Sequence, residues 1–407
     1  MTLIGSPTLR VAAPRGSARL FAAPGPSLAE HLSTFGELPN LDGGRLLAEV
    51  EASGLAGRGG AGFPTWRKLA AGSANADNGA PIVIGNGAEG EPLSSKDATL
   101  LRHAPHLVLD GLLLAGRAVG ATELRLAVPG PQLAAVRTAM AERPDTGGIT
   151  VTETAGTFLS GEASAVVHQI EAGRPVPRDH PLRLTVSGLR GRPTVVHNVE
   201  TLAHLAMVSR FGAAWFRSVG TADDPGTRLV SVAGDVPTAC VLEVVGGAPI
   251  ASVLRAAGAD PDSLRAVLVG GYHGSWLNGA DLGLPLSPVE LAARGGHPGA
   301  GILFALRRGR CGVLAGAEIA GYLAAQSARQ CGPCANGLPR IATVLERLAS
   351  GSHSPGLDAE VRRLADSVAG RGACHHPDGT AKFVLSSLAV FATDVERHLH
   401  GECEEGR

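Results

Sequence analysis

Lysine is nearly missing from this 407-residue chain: Lys68, Lys96 and Lys382 are the whole supply, within a Lys and Arg total of 36. Arginine carries the remaining positive charge, and 37 acidic residues bring the net charge to −1. That balance excludes a bulk electrostatic grip on nucleic acid or an anionic membrane. No apolar run reaches the ~18 residues a transmembrane helix needs, so no membrane insertion is expected. Acidic residues are missing before Glu30, in a stretch rich in Ala, Pro, Ser and Arg. That composition hints at a transit peptide, but Pro7, Pro14, Pro24 and Pro26 interrupt any amphipathic helix. A loose, partly flexible N-terminal arm over residues 1–44 is the better reading. No secretory signal is visible, which gives a cytoplasmic expectation. With six cysteines in a reducing compartment, their spacing is read for metal or redox chemistry rather than disulfides.

The length allows two or three domains with full cores. Residues 82–86, IVIGN, read as a buried strand ending in a turn, and a helical pattern follows at 105–120. Strand 124–130, helix 131–142 and strand 149–154 complete a β-α-β-α-β order, which implies a largely parallel sheet. Ligands of such sheets sit beyond the strands' carboxyl ends. The α/β domain is taken as residues 45–224. From 225 to 300, short strands alternate with one helix in a compact β-rich module. Four helical patterns within 301–398 predict a helical bundle, and residues 399–407 read as an acidic tail.

Four loops stand out on the α/β domain. Residues 54–66, GLAGRGGAGFPTW, allow close backbone approach and a nest of N–H groups for a phosphate, with Lys68 just beyond. Residues 84–97, IGNGAEGEPLSSKD, carry Asn86, Glu89 and Glu91; Asn86 suits a ring amide or a ribityl hydroxyl. Gly161-Glu162 opens a helix over 162–171, and Asn198 and Glu200 in HNVETLA open another. Each has a bland reading: a flexible turn, a solvated acidic loop, or ordinary helix capping. Four together on one domain are hard to ascribe to accident.

Their order and wording resemble the flavin-carrying, NADH-binding subunit of respiratory complex I and its relatives in soluble NAD-dependent hydrogenases and formate dehydrogenases. GRGGAGFPT, GEPLSSKD, SGEASA and HNVETLA carry the resemblance, which runs from residue 45 to 395. NGAEGEP also resembles subunits of membrane ferredoxin:NAD oxidoreductases and cobalamin reductases. The resemblance implies a Rossmann-like domain for FMN and NADH, a ubiquitin-like β-grasp (SLBB-type) module and an iron–sulfur helical bundle. It makes Gly57, Arg58, Gly59, Gly60, Gly62, Phe63, Lys68, Asn86, Glu91, Phe158, Gly161, Glu162 and Asn198 the cofactor-site candidates. Glu91 and Glu162 would shape the catalytic site; hydride transfer itself needs stacking geometry rather than an acid or base.

The chain departs from the family pattern. An Asn-Ala-Asp-Glu run reads Asn86-Gly87-Ala88-Glu89, and Gly-Glu-Glu reads Gly161-Glu162-Ala163, so two carboxylates are lost. Fewer negative groups near a flavin favour its reduced, anionic form and raise its potential. Phe158 replaces a Tyr. Phe63 remains of the rings expected around the adenine, while Ala71 and Arg183 stand at the other two positions. Flavin binding is thus better supported than NADH binding, and NADPH or a protein donor stays open.

The cluster loop of the family has three cysteines at C-x2-C-x2-C spacing and a fourth some forty residues on. In SARQCGPCANG, Ala328 takes the first ligand position, and Cys331, Cys334 and Cys374 match the others. Completions are a 4Fe-4S cluster with a non-Cys ligand, His375 or His376; a 3Fe-4S cluster; zinc on a Cys3His set; or no metal. Cys311 reads as a buried small residue, and Cys240 and Cys403 lack ligand spacing. The expectation is a flavoprotein oxidising NADH through FMN and passing single electrons to a cluster and a partner, in the family often a thioredoxin-like 2Fe-2S subunit, peripheral to any membrane complex. The alternatives are an FMN relay between redox proteins and a non-enzymatic assembly or regulatory subunit.

Overall fold

The computed structural model describes residues 11–12, 18–178, 182–351 and 355–403. Parts of the expected N-terminal arm (1–10, 13–17) and the last four residues of the acidic tail lie outside them.

Ile82–Asn86 forms an inner strand of a four-stranded parallel sheet ordered Ile149–Thr154, Glu123–Pro129, Ile82–Asn86, Thr194–Asn198. All five of its residues are buried, as a parallel strand covered on both faces requires. Val83, Leu126 and Val195 belong to the core shared with the helices Pro105–Val119 and Val199–Phe216. Ile82, Ile84, Ala127 and Val196 belong instead to a smaller core with Val166 and Val167 of the helix Ala163–Ala172. The period-2 alternation of a strand thus divides one sheet between two helical layers. The two larger helices cross at Gly111, where a Cβ would sit 1.9 Å from the Leu202 carbonyl oxygen.

The second sheet has six strands, ordered Val11–Ala12, Cys240–Val245, Thr227–Gly234, Ile302–Arg307, Leu264–Val269, Ser275–Asn278. It is antiparallel except where Ile302–Arg307 runs parallel to Thr227–Gly234 and Val11–Ala12 parallel to Cys240–Val245. The strand at 302–307 therefore extends this unit past residue 300. One face packs on the helix Ile250–Ala256; the other gives Trp276, Phe304 and Leu306 to a core shared with the C-terminal helices.

Those helices are Gly312–Ala325, Leu338–Ala349, Leu357–Val368, His376–Val390 and Ala392–Leu399. The fourth pattern in the sequence splits in two at Phe391 (φ −103, ψ 30). The Phe391 ring lies against Gly312 and meets Trp276 edge-on at 5.0 Å. Residues 18–44 are also built into the fold. Leu28–Phe35 opens on a reciprocal Ser27–Glu30 capping box, and the Leu20 N–H donates to buried Glu243 at 3.0 Å.

Candidate active site

Parallel pairing sets Asn86 opposite Asn198 at the carboxyl end of the first sheet. A cavity of about 650 Å³ opens there, within the range that holds small-molecule cofactors. All three parts of the chain wall it. The first domain gives Gly59, Gly60, Asn86, Glu91, Phe158, Gly161, Glu162 and Asn198. The second sheet gives the turn Gly270–Gly274 and the segment 297–300; the helical region gives Cys374, His375, His376 and Lys382.

The two asparagines are held from below. Asn86 donates to the Gly161 carbonyl at 2.9 Å and accepts from the Ala88 N–H at 3.0 Å. Asn198 caps its helix by accepting from the Glu200 N–H at 3.0 Å, and its amide donates to Asp97 at 2.6 Å. Beneath them Lys96, 1% exposed, contacts Asp97 at 2.7 Å and Glu200 at 2.9 Å. Burial alone would lower the Lys96 pKa, but Asp97, Glu200 and Glu89 outweigh it and raise it. Burial likewise opposes the Glu200 charge, and Lys96 reverses that, holding its carboxyl below the usual range.

The acidic loop serves two purposes. Glu89 accepts from the N–H groups of Asp97 (3.0 Å) and Ala98 (2.9 Å), capping the helix Lys96–His103. Glu91 reaches the second sheet: one oxygen accepts from the Tyr272 N–H at 2.7 Å, and the other is buried with no protein partner. Burial pushes its carboxyl up to about 7, against the Tyr272 and Leu93 N–H groups. The loop is pressed so close that a Cβ on Gly90 would lie 2.0 Å from the Phe158 carbonyl oxygen. Glu162 lines the cavity and caps Ala163–Ala172, accepting from the N–H of Ser164 (2.8 Å) and Ala165 (3.0 Å). The Phe158 ring meets His273 at 4.9 Å and His376 at 5.6 Å.

Other candidates from the sequence sit elsewhere. Arg58 turns its guanidinium away from the cavity, pairing with buried Asp224 at 3.1 Å and donating to the Pro225 and Thr227 carbonyls. The resemblance makes Arg58 a cofactor-site candidate; its guanidinium is taken by an acid 166 residues away. Gly57 closes the loop by donating to the Phe63 carbonyl at 2.9 Å, and Gly62 holds φ +62. Phe63, 40% exposed, and Lys68 line a second hollow of about 620 Å³ with Arg67, Ala71, Ala163 and Arg183. Lys68 donates to the Val196 carbonyl at 3.1 Å, and burial lowers its pKa.

Sequence reasoning misses Lys96, Asp97, His273, His297 and Lys382 as site residues, though all line the cavity. Two of them are among the three lysines, and that scarcity is the available signal. The histidines lie outside any local motif and reach the cavity only through tertiary packing.

Cys331 and Cys334 follow the first C-terminal helix, Cys334 on a π-helical turn at Pro333–Gly337. Their thiols interact with each other, and Cys374 acts on Cys334 electrostatically. His376 has both ring nitrogens engaged, one 3.0 Å from His273 and the other 2.9 Å from the Leu323 carbonyl. His375 is exposed, with Asp378 3.7 Å away. Ala328 sits half-buried on the same loop. Among the described residues, three metal-ligating atoms within 4.8 Å of one another occur at Cys311, His398 and Cys403, not at this trio.

Comparison with known proteins adds two family models: "Nuo51 FMN-binding domain" over residues 50–207, and "NADH-ubiquinone oxidoreductase-F iron-sulfur binding region" over 315–398. The F subunit of NADH-quinone oxidoreductase from Mycobacterium bovis is 30% identical over 377 residues, covering 88% of this chain and 85% of that protein. The chain belongs to the family of NADH-quinone oxidoreductase F subunits. A second member, F subunit 2 of the Rhizobium meliloti enzyme, is 29% identical over 369 residues, covering 86% of this chain and 87% of its own length. Among solved structures, an NAD+-reducing [NiFe]-hydrogenase in the H2-reduced state superposes with TM-score 0.79 at 32% identity over 88% of this chain. This chain spans 63% of that hydrogenase chain. The FMN-domain match of the F-subunit family takes in every first-domain residue of the cavity wall, and the iron–sulfur match takes in the three cysteines and Lys382. Among the described residues, no helix is long and apolar enough to cross a membrane.

Proposed function

We propose that the chain is the NADH-oxidising flavoprotein subunit of an electron-transfer complex, with FMN in the cavity at the carboxyl end of the parallel sheet. FMN supplies the exchange between a hydride and single electrons. The residues fit that group. Gly59, Gly60 and Gly161 leave backbone open for close approach, Asn86 and Asn198 hold fixed amides at the wall, and Glu91 lines the cavity with one buried carboxyl oxygen left without a protein partner. Lys96 brings a positive charge held in place by two acids. The hollow at Phe63, Arg67, Lys68 and Arg183 offers one ring and three cations to the far end of the nucleotide.

One observation carries this reading: the cavity that holds Asn86 and Asn198 at one wall has Cys374 in another. A flavin there lies beside the thiol trio, and electrons need no other route out. We assign Cys331, Cys334 and Cys374 to an iron–sulfur cluster. His375 is the imidazole left to complete it, since both nitrogens of His376 are engaged. The six-stranded sheet with its packed helix fits a β-grasp (SLBB-type) module, the five helices fit the family's cluster bundle, and a thioredoxin-like 2Fe-2S protein fits as electron acceptor at the edge of a larger complex.

The test is an absorption experiment. Protein purified anaerobically with iron and FMN is mixed with NADH. Rapid bleaching of the flavin bands is expected. Flavin bands that persist exclude NADH as donor and leave a relay between proteins.

A further inference from the structure

Three ligating side chains meet at the other end of the helical region, away from the cavity. Cys311 caps the start of Gly312–Ala325, His398 lies in Ala392–Leu399, and Cys403 follows that helix. Their Sγ, imidazole nitrogen and Sγ all fall within 4.8 Å of one another. Cys311 Sγ is 3.1 Å from His398 Nε2, and these two residues are 2% and 1% exposed.

The tautomer of His398 is fixed by its other contact. Nδ1 lies 3.1 Å from the Leu348 carbonyl oxygen. A carbonyl can only accept, so Nδ1 carries the proton and Nε2 turns a lone pair toward Cys311. An imidazole that donates one N–H to a backbone carbonyl while aiming the other nitrogen at a thiol has the orientation of a metal-ligating histidine. A tetrahedral zinc site with its usual bond lengths sets S···N at about 3.5 Å and S···S at about 3.8 Å, so the trio needs only small side-chain adjustment.

We propose that Cys311, His398 and Cys403 bind a zinc ion that clasps the C-terminal segment onto the start of the helical region. On binding, both thiols release their protons to solvent, and two thiolates neutralise the dication, so no net charge is buried among apolar side chains. Water fills the fourth position on the side where Cys403 is partly exposed. Asp394 does not, because its oxygens take the Gly312 N–H at 3.0 Å and the Arg265 guanidinium. The site is separate from the iron–sulfur loop. Cys311 precedes and Cys331 follows a 14-residue helix, which spans about 20 Å.

The experiment measures zinc and iron in full-length protein purified anaerobically without chelator, with X-ray absorption at the zinc edge. About one zinc per chain is expected, with two sulfurs and one nitrogen among its neighbours. Cys403→Ser, at the partly exposed end, loses most of the zinc and keeps its iron and FMN; Cys331→Ser loses iron and keeps its zinc. Zinc-free wild type overturns the proposal. So does zinc unchanged in both Cys403→Ser and His398→Gln, or a Cys311–Cys403 disulfide in unreduced peptide maps of the anaerobic protein.

Discussion

A carboxylic acid that gives up its proton only near neutrality changes what a cavity wall can do. Glu91 has a carboxyl oxygen with no protein partner and is pushed up to about 7 by burial. Because its folded pKa lies above the unfolded value, it favours the folded state below pH ~4.5 and loses that contribution as pH rises through about 7. In flavin-stripped protein the loss is on the order of 3 kcal/mol at most. Glu91→Gln should flatten the fall in stability across that window, as read by denaturant titrations at pH 5 and pH 8. An equal fall in the variant would remove Glu91 from the account. His375 gives a second prediction at this scale. With His375→Ala, the reconstituted protein should show the paramagnetic signal of a three-iron cluster in place of a four-iron one; an unchanged four-iron signal assigns the fourth position elsewhere. Among single residues, Asn86, Glu91, Glu162 and Asn198 are legible in the sequence because each sits in a local motif. The pairing of Arg58 is not legible in this way: its partner Asp224 is remote in sequence, and nothing near Arg58 announces it.

Elements are legible where one physical pattern dominates. The strands at 82–86 and 149–154 appear with those bounds: the first is a buried apolar run closed by a turn, and the second is an edge strand that alternates Ile149 and Val151 with polar residues. Thr194–Asn198 is visible in the sequence only as part of a motif, because its apolar run is two valines long and flows straight into a helix. The break at Phe391 leaves no mark either; no Gly or Pro signals it, and its cause is a ring lodged against Gly312 on another helix. The crossing of Pro105–Val119 with Val199–Phe216 depends on a single missing side chain. Gly111→Ala would drive a Cβ into the Leu202 backbone, which cannot rotate aside. It should destabilise the protein by about 1–3 kcal/mol. Gly321→Ala, a helical position with nothing within 4 Å of the added Cβ, should stabilise by up to about 1 kcal/mol through helix propensity. Paired thermal melts check both, and similar shifts in the two variants would refute the packing argument.

At the scale of the whole molecule, three units of different architecture converge on one cavity. The first sheet brings the amides and Lys96, the second brings His273 and His297, and the helical region brings Cys374 and Lys382. Arg58 ties the first to the second through Asp224, which also holds Arg228 at 2.7 Å. Convergence of this kind has no local sequence signal, so the second-sheet contribution is invisible until the fold is known. It also sets a schedule. The cavity wall starts near Gly59 and ends at Lys382, so a nascent chain leaving the ribosome has no complete wall until residue 382 is out. A ligand that needs all three walls is therefore held only once the helical region has joined the two sheets.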